Sequence, residues 1–315
     1  MKQYSSHLLM VRPSSFRMNE QTAVNNYFQS DSDLGPEAIV QEARVKFDAM
    51  VTALRGARVE VVVFDEPEGS DTPDALFPNN WISMHSDKRV ALYPMYAENR
   101  REERREEVLD LLEKERFQIE EIVDYTSAEE EGFFLEGTGS MILDHINRIA
   151  YCALSERADE ELFIEFCEDF EYTPCTFNAY QSVNDKRLQI YHTNVMMCVA
   201  DRYAVVCLEC IDDTSERKQL KKQLKDSGKT IVAITEDQMH QFAGNMLQVG
   251  DQDENPLLVM SNTAYNSLRP DQLGLLESFN PIIHPELNLI EQCGGGSARC
   301  MMAEIFLPKA QKKAC

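Results

Sequence analysis

No apolar run in this 315-residue sequence approaches the ~20 residues that an α-helix needs to cross a bilayer, so no membrane partner is expected. Basic residues are few beside acidic ones, 31 against 54, and the formal charge is -23. Such a chain repels phosphate backbones, which excludes a nucleic-acid partner and favours solubility. Export through a signal peptide is not expected either. After Met1 to Tyr4 the apolar stretch runs only from His7 to Val11 before Arg12-Pro13, too short for an h-region. The nine cysteines are odd in number and scattered through apolar runs, as at Cys152, Cys198 and Cys207. They make no disulfide framework and read as reduced, cytoplasmic usage. Cys207-Leu-Glu-Cys210 has no second pair and is read as core packing. The six histidines show no H-E-x-x-H or comparable spacing, so no metal is expected. Cofactor fingerprints are incomplete as well. Gly137-Thr-Gly139 lacks the third glycine of a dinucleotide site, and Gly228-Lys-Thr230 has Gln223 where a P-loop needs glycine.

What is present is a repeat: an apolar strand, a short polar turn, and a second apolar strand. It runs Trp81 to His85 with Val90 to Tyr93, then Met141 to Leu143 with Ile149 to Leu154. It returns as Val195 to Val199 with Tyr203 to Leu208, and as Met246 to Val249 with Leu257 to Met260. Between these hairpins lie segments of helical composition: 99–116, 158–170, 214–226 (with Thr214 as N-cap) and 270–279. An early helix, 36–55, precedes a strand at 59–64. A fifth hairpin assembles from the two ends, Leu8 to Val11 with Met301 to Leu307. That pairing closes a ring and removes exposed edges. The expected fold class is therefore α/β, a five-fold pseudosymmetric α/β propeller built as one domain over 1–315. An open mixed α/β sheet is the alternative.

In a ring of equivalent modules, the residue just before each first strand faces one shared axis. Those positions hold Asn80, the Glu136-Gly-Thr-Gly-Ser140 turn, Asn194, Asn245 and Cys300, with His192 two residues ahead of Asn194. Taken singly, each is an ordinary turn, cap or core residue. Together, polar side chains, a thiol and an imidazole describe a reactive site. The Gly294-Gly-Gly-Ser297 run just before Cys300 permits close backbone approach to a ligand.

Arg12-Pro13 with Asn19 to Asn26, Phe77-Pro-Asn-Asn-Trp81, Leu135-Glu-Gly-Thr-Gly139, His192-Thr-Asn194, Gly244-Asn-Met246 and Gly294 to Cys300 span nearly the whole chain. In combination they resemble the CtlX-type citrulline hydrolase / arginine deiminase-related family of the amidinotransferase-like penteins (guanidine-modifying enzymes). The resemblance implies the five-fold propeller. It also implies that Cys300 is the nucleophile, His192 the proton-transfer residue and Glu136 the acidic partner. Asn80 and Asn194 fall where arginine deiminases and amidinotransferases usually carry aspartates that grip a guanidinium. A buried carboxylate pair facing a neutral urea would be uncompensated, whereas asparagine offers donor and acceptor without charge. The expected substrate is thus a small ureido or guanidino amino acid. Citrulline is favoured, and would give ornithine, ammonia and carbon dioxide through an S-carbamoyl intermediate.

In this reading His192 in its imidazolium form and backbone amides of the glycine turn activate the Cys300 thiolate. Asn80, Asn194 and Asn245 hold the ureido group, and Arg12 or Arg299 forks a substrate carboxylate. Hydrolysis of arginine or methylarginine, or amidino transfer, are the enzymatic alternatives. A non-catalytic pentein scaffold is the alternative of another class. A homo-oligomer is compatible with the sequence, and the cytoplasm is the expected location.

Overall fold

The computed structural model describes residues 2–310. Its strands and helices alternate in five similar blocks, and each block answers one hairpin of the sequence repeat. The first begins with β1 (His7–Arg12), α1 (Pro36–Gly56) and β2 (Glu60–Asp65). The second holds β3 (Ile82–Met84), β4 (Arg89–Leu92), α2 (Glu98–Arg101), α3 (Glu106–Lys114) and β5 (Glu121–Asp124). The third holds α4 (Gly137–Ser140), β6 (Met141–Asp144), β7 (Ile149–Ala153), α5 (Glu160–Asp169) and β8 (Thr173–Phe177). A hairpin of β9 (Tyr180–Val183) and β10 (Lys186–Gln189) then leads into the fourth block: β11 (Met197–Val199), β12 (Tyr203–Val206), α6 (Thr214–Asp226) and β13 (Thr230–Ala233). After α7 (Glu236–His240), the fifth comprises β14 (Leu247–Gly250), β15 (Pro256–Val259), α8 (Asn262–Ser267), α9 (Pro270–Glu277) and β16 (Ile282–Ile283). Helix α10 (Asn288–Gly294) and β17 (Ala303–Glu304) return to the start.

Each block makes one three-stranded sheet with the same order: first strand antiparallel to the second, second parallel to the third. The crossover between the parallel strands is helical, as parallel pairing requires. The repeat is thus ββαβ, one strand longer than the ββα unit read from the sequence. The ends combine as expected: β17 pairs antiparallel to β1, Leu8 opposite Glu304, and β1 pairs parallel to β2. First strands contact one another across blocks, β17 with β3, β6 with β11 and β11 with β14, so they form the inner wall of an α/β propeller.

The helices cover the outside. Helix α1 buries Ile39, Ala43, Phe47, Met50, Val51 and Leu54, a stripe at helical spacing, against Leu8 and Met10 of β1. Proline in its first turn starts it without a side-chain cap. The predicted helix over 99–116 is broken into α2 and α3. Thr214 is not the cap of α6: Asp213 is, its carboxylate accepting from the N–H groups of Ser215 and Glu216. The β9–β10 hairpin was not read from the sequence. Its two-residue turn, Asn184-Asp185, has both φ angles positive as a type I′ turn requires, and the Asn-Asp pair is the signal that such a turn leaves in sequence.

Candidate active site

The segments that precede the inner strands converge at one end of the ring. The Pro78–Asn80 and Thr193–Val195 turns are single 3-10 turns, and both touch α4. Thr193 ties this junction together: its Oγ1 accepts from Ala153 N at 2.8 Å and donates to Ser140 O. Asn79 spans to the last block. It donates to Cys300 O at 2.7 Å and accepts from Gly139 N at 3.3 Å, the orientation in which both amide atoms are satisfied. Gly139 is glycine for a visible reason. A Cβ there would meet His192 Nδ1 and Cε1 at 2.9 Å and Asn80 Nδ2 closer still.

A narrow cavity opens here, with Asp74, Asn80, Arg100, Arg157, His192 and Cys300 on its walls. His192 and Glu136 form a buried pair, Nε2 to Oε2 at 2.7 Å. The carboxylate also accepts from Tyr96 N at 3.0 Å, and it lies 3.6 Å from Arg157 and 3.9 Å from Arg100. Burial pushes the Glu136 carboxyl up, but Arg157, His192 and Arg100 outweigh it and hold the group down at about 2. Burial drives His192 the other way, down to about 4, with Glu136 opposing. Burial thus favours the neutral ring at rest over the imidazolium expected from the sequence, with Glu136 opposing. With Nε2–H donated to Glu136, its Nδ1 is left as a proton acceptor.

Asn80 is oriented by a cation. Arg100 Nη1 donates to its Oδ1 at 2.9 Å, and a guanidinium can only donate. The Nδ2 of Asn80 consequently lies toward Gly139 and the His192 ring. Arg100 itself is clamped by Glu103 through two bonds of 2.8 and 2.9 Å. Asp74 completes the wall. One of its oxygens accepts from Asn19 and Thr22, while Oδ1 is buried without a hydrogen-bond partner among the described residues. Burial raises its pKa, with Arg100 opposing.

Cys300 follows the glycine turn, its N–H donating to Ser297 O at 3.0 Å. Its Sγ receives two amide N–H bonds, from Asn245 at 3.2 Å and Asn194 at 3.4 Å. Two carbonyls of the glycine turn are bonded by neighbouring side chains. Gly294 O accepts from Asn26 and Gln29, and Gly295 O from the Tyr191 hydroxyl. Close approach to Phe77 needs glycine at 294 and 296, where a Cβ would meet the ring at 2.8 Å. The Asn19 to Asn26 motif belongs to a strap that lies over the cavity. It is held there by Arg157, which donates to Thr22 O at 3.0 Å and to Asn25 Oδ1.

Of the expected site residues, Cys300, His192, Glu136 and Asn80 come together, with Asn194 and Asn245 beneath the sulfur instead of on the cavity wall. Two do not join them. Arg12 makes a bidentate pair with Asp48, both bonds 2.8 Å, in a groove on the outer face between α1 and β2. Arg299 points to the other side of the ring, where Nη1 donates to Met302 O and Nη2 lies 3.5 Å from Glu304. Both residues lie in the tight turns that lead into β17, where the N–H groups of Cys300, Met301 and Met302 donate to the carbonyls three residues earlier, and neighbouring side chains leave such turns in different directions. Arg100, Arg157 and Asp74 were missed. Nothing in their spacing marks them, since α2, the loop before α5 and the 66–77 loop reach the cavity only through tertiary packing.

Fold and cavity together define a pentein, a five-module α/β protein of the guanidino-modifying class. Residues 12–307 match the family model described as N,N dimethylarginine dimethylhydrolase, eukaryotic, and the chain belongs to that family. Among solved structures it is similar to ArgZ, an arginine dihydrolase from the ornithine–ammonia cycle in cyanobacteria (14% identity, TM-score 0.73). That alignment covers 96% of this chain and 41% of ArgZ. A mutant of AgrE in complex with L-arginine aligns over 97% of this chain and 41% of its own, with 15% identity and TM-score 0.74. A dimethylarginine dimethylaminohydrolase adduct with S-methyl-L-thiocitrulline aligns over 97% of this chain and 100% of its own, with 14% identity and TM-score 0.63. The chain thus spans less than half the length of the ArgZ and AgrE chains. Compared with curated protein sequences, it has no match. No helix among the described residues is long and apolar enough to cross a membrane.

Proposed function

We propose that this protein hydrolyses citrulline to ornithine, ammonia and carbon dioxide, with Cys300 as nucleophile. The orientation of Asn80 carries the reading. Because Arg100 occupies the oxygen of this cavity-lining amide, its free end is a donor, which suits the carbonyl oxygen of a urea rather than the N–H groups of a guanidinium. Asn80 then holds the ureido oxygen and stabilises the charge that develops on it during attack. The Cys300 thiol gives its proton to Nδ1 of neutral His192, and Glu136 stabilises the imidazolium that forms. Sulfur adds to the ureido carbon, His192 protonates the departing nitrogen, and a carbamoyl group remains on sulfur. His192 then takes a proton from water, which cleaves the thioester-like bond and releases a carbamate that breaks down to amine and carbon dioxide. Arg157, whose Nε is buried without a hydrogen-bond partner among the described residues, is the cation placed for the substrate carboxylate.

A second reading, hydrolysis of arginine or a methylarginine, is favoured by Asp74. Its unpartnered Oδ1 on the cavity wall is an acceptor that a guanidinium would satisfy. The deciding experiment measures ornithine and citrulline formed from citrulline, arginine and dimethylarginine, with wild type and Cys300→Ser. Ornithine from citrulline, absent in the variant, is the expected result. Turnover of guanidino substrates alone would overturn the citrulline reading and leave the second. Turnover that survives Cys300→Ser would remove the thiol from the mechanism.

A further inference from the structure

We infer that Asn245 is a catalytic residue that acts on the nucleophile: its side-chain amide stabilises the sulfur anion formed when the Cys300 thiol gives up its proton, and it does not bind substrate. The sense of this amide is settled by its neighbours. The backbone N–H of Arg299 donates at 3.0 Å to Oδ1, and a backbone N–H can only donate. The carbonyl of Asn194 accepts from Nδ2 at 3.0 Å, and a carbonyl can only accept. Both ends agree, so Nδ2 is the atom that stands 3.2 Å from Sγ, its second hydrogen on the sulfur. The donor inventory of the amide is then complete, and the residue is fully buried.

The sulfur has no better support. Among the described residues, its only hydrogen bonds come from Asn245 and from Asn194, and the latter has its own oxygen buried without a partner. The charged and titratable groups on the cavity wall are His192, Tyr191, Arg100, Arg157 and Asp74, and none donates a hydrogen bond to Sγ. Among the described residues, no cation is in hydrogen-bond contact with the sulfur. A buried N–H aimed at an anion is a strong interaction, because water cannot replace it. Asn245 also joins two blocks at the point of reaction. It links the Asn194 turn of the fourth block to the Arg299–Cys300 backbone, so the position of the sulfur is set by the closed ring. Asparagine is required in this role: aspartate would set an acceptor against the sulfur and against Asn194 O.

This inference rests on the reading of Cys300 as nucleophile, but the test reads the sulfur directly. Iodoacetamide alkylation of Cys300, located by peptide mapping, is followed against pH in wild type, Asn245→Asp and Asn245→Ala, alongside steady-state kinetics with citrulline. Circular dichroism selects the variants that fold, and either one suffices. The expected result is a curve displaced to higher pH by about one unit or more, hence about tenfold slower alkylation at neutral pH, with kcat lowered and KM little changed. A curve that superimposes on wild type overturns the inference, and a raised KM with that unchanged curve would return Asn245 to substrate binding. If turnover proves independent of Cys300, the alkylation curves still decide whether Asn245 controls the sulfur, so the two failures are separable.

Discussion

Replacing Asn80 by aspartate changes one heavy atom and tests the substrate assignment. The bond from Arg100 Nη1 to Oδ1 at 2.9 Å stays in place, and Nδ2 becomes an oxygen beside Gly139 and the His192 ring. A ureido oxygen would then face an acceptor where it had a donor. Losing a buried hydrogen bond in this way costs about 1–3 kcal/mol, which is about 5- to 150-fold in kcat/KM for citrulline. The charges around the site move the guanidino substrate in the opposite direction. Asp74, Glu103 and Glu136 already face Arg100, and Arg157 is the second cation of the cluster. One more carboxylate deepens the excess of carboxylates over guanidiniums in that cluster, which a bound guanidinium offsets. Asn80→Asp should therefore lower kcat/KM for citrulline and raise it for arginine. Competition between the two substrates, with ornithine and citrulline quantified by chromatography, reads both changes in one reaction. Unaltered discrimination would refute the argument that the orientation of Asn80 selects a ureido group.

Two further outcomes concern the scaffold. Gly244→Ala should destabilise the protein by about 1–3 kcal/mol through overpacking, because a Cβ there would lie 2.6 Å from the Met196 carbonyl carbon. An unshifted urea midpoint would show that the blocks do not approach this closely. Stability should also fall in acid. The unfolded chain protonates its histidines near pH 6.5, whereas burial pushes His192 down to about 4 and His85 and His145 to about 3 in the folded chain. Protons bound only by the unfolded state pull the equilibrium toward it as pH drops through that window. Burial raises Glu103 and Glu304 to about 7, against Arg100 and Arg299, so these groups take up protons first in the folded state. They blunt the loss above about pH 4.5, and the steep fall comes below it. Urea melts from neutral to acid pH check this, and stability that holds steady below pH 4.5 would contradict it.

Much of the architecture was legible in one dimension because a ring of similar modules writes its period into the chain. The hairpin starts recur, and the pairing of the two termini follows from the need to remove sheet edges. The third strand of each block was harder to see. Segments such as Glu121–Asp124 and Ile282–Ile283 are short and partly exposed, and their strand character comes from parallel pairing with a distant neighbour.

The same division runs through the site. Equivalent positions before the inner strands marked Asn80, Glu136, Asn194, Asn245 and Cys300 as neighbours, since symmetry turns sequence position into spatial position. It could not mark Arg100, Arg157 or Asp74, which arrive on connections that differ from block to block. Nor could it separate Arg299 from Cys300: adjacent in sequence, they lie on opposite sides of the inner wall. The sequence by itself determined the ring and the residue types around its axis. Only the tertiary structure decided which way each amide points, because a buried asparagine takes its sense from donor-only and acceptor-only neighbours that the fold brings from elsewhere in the chain.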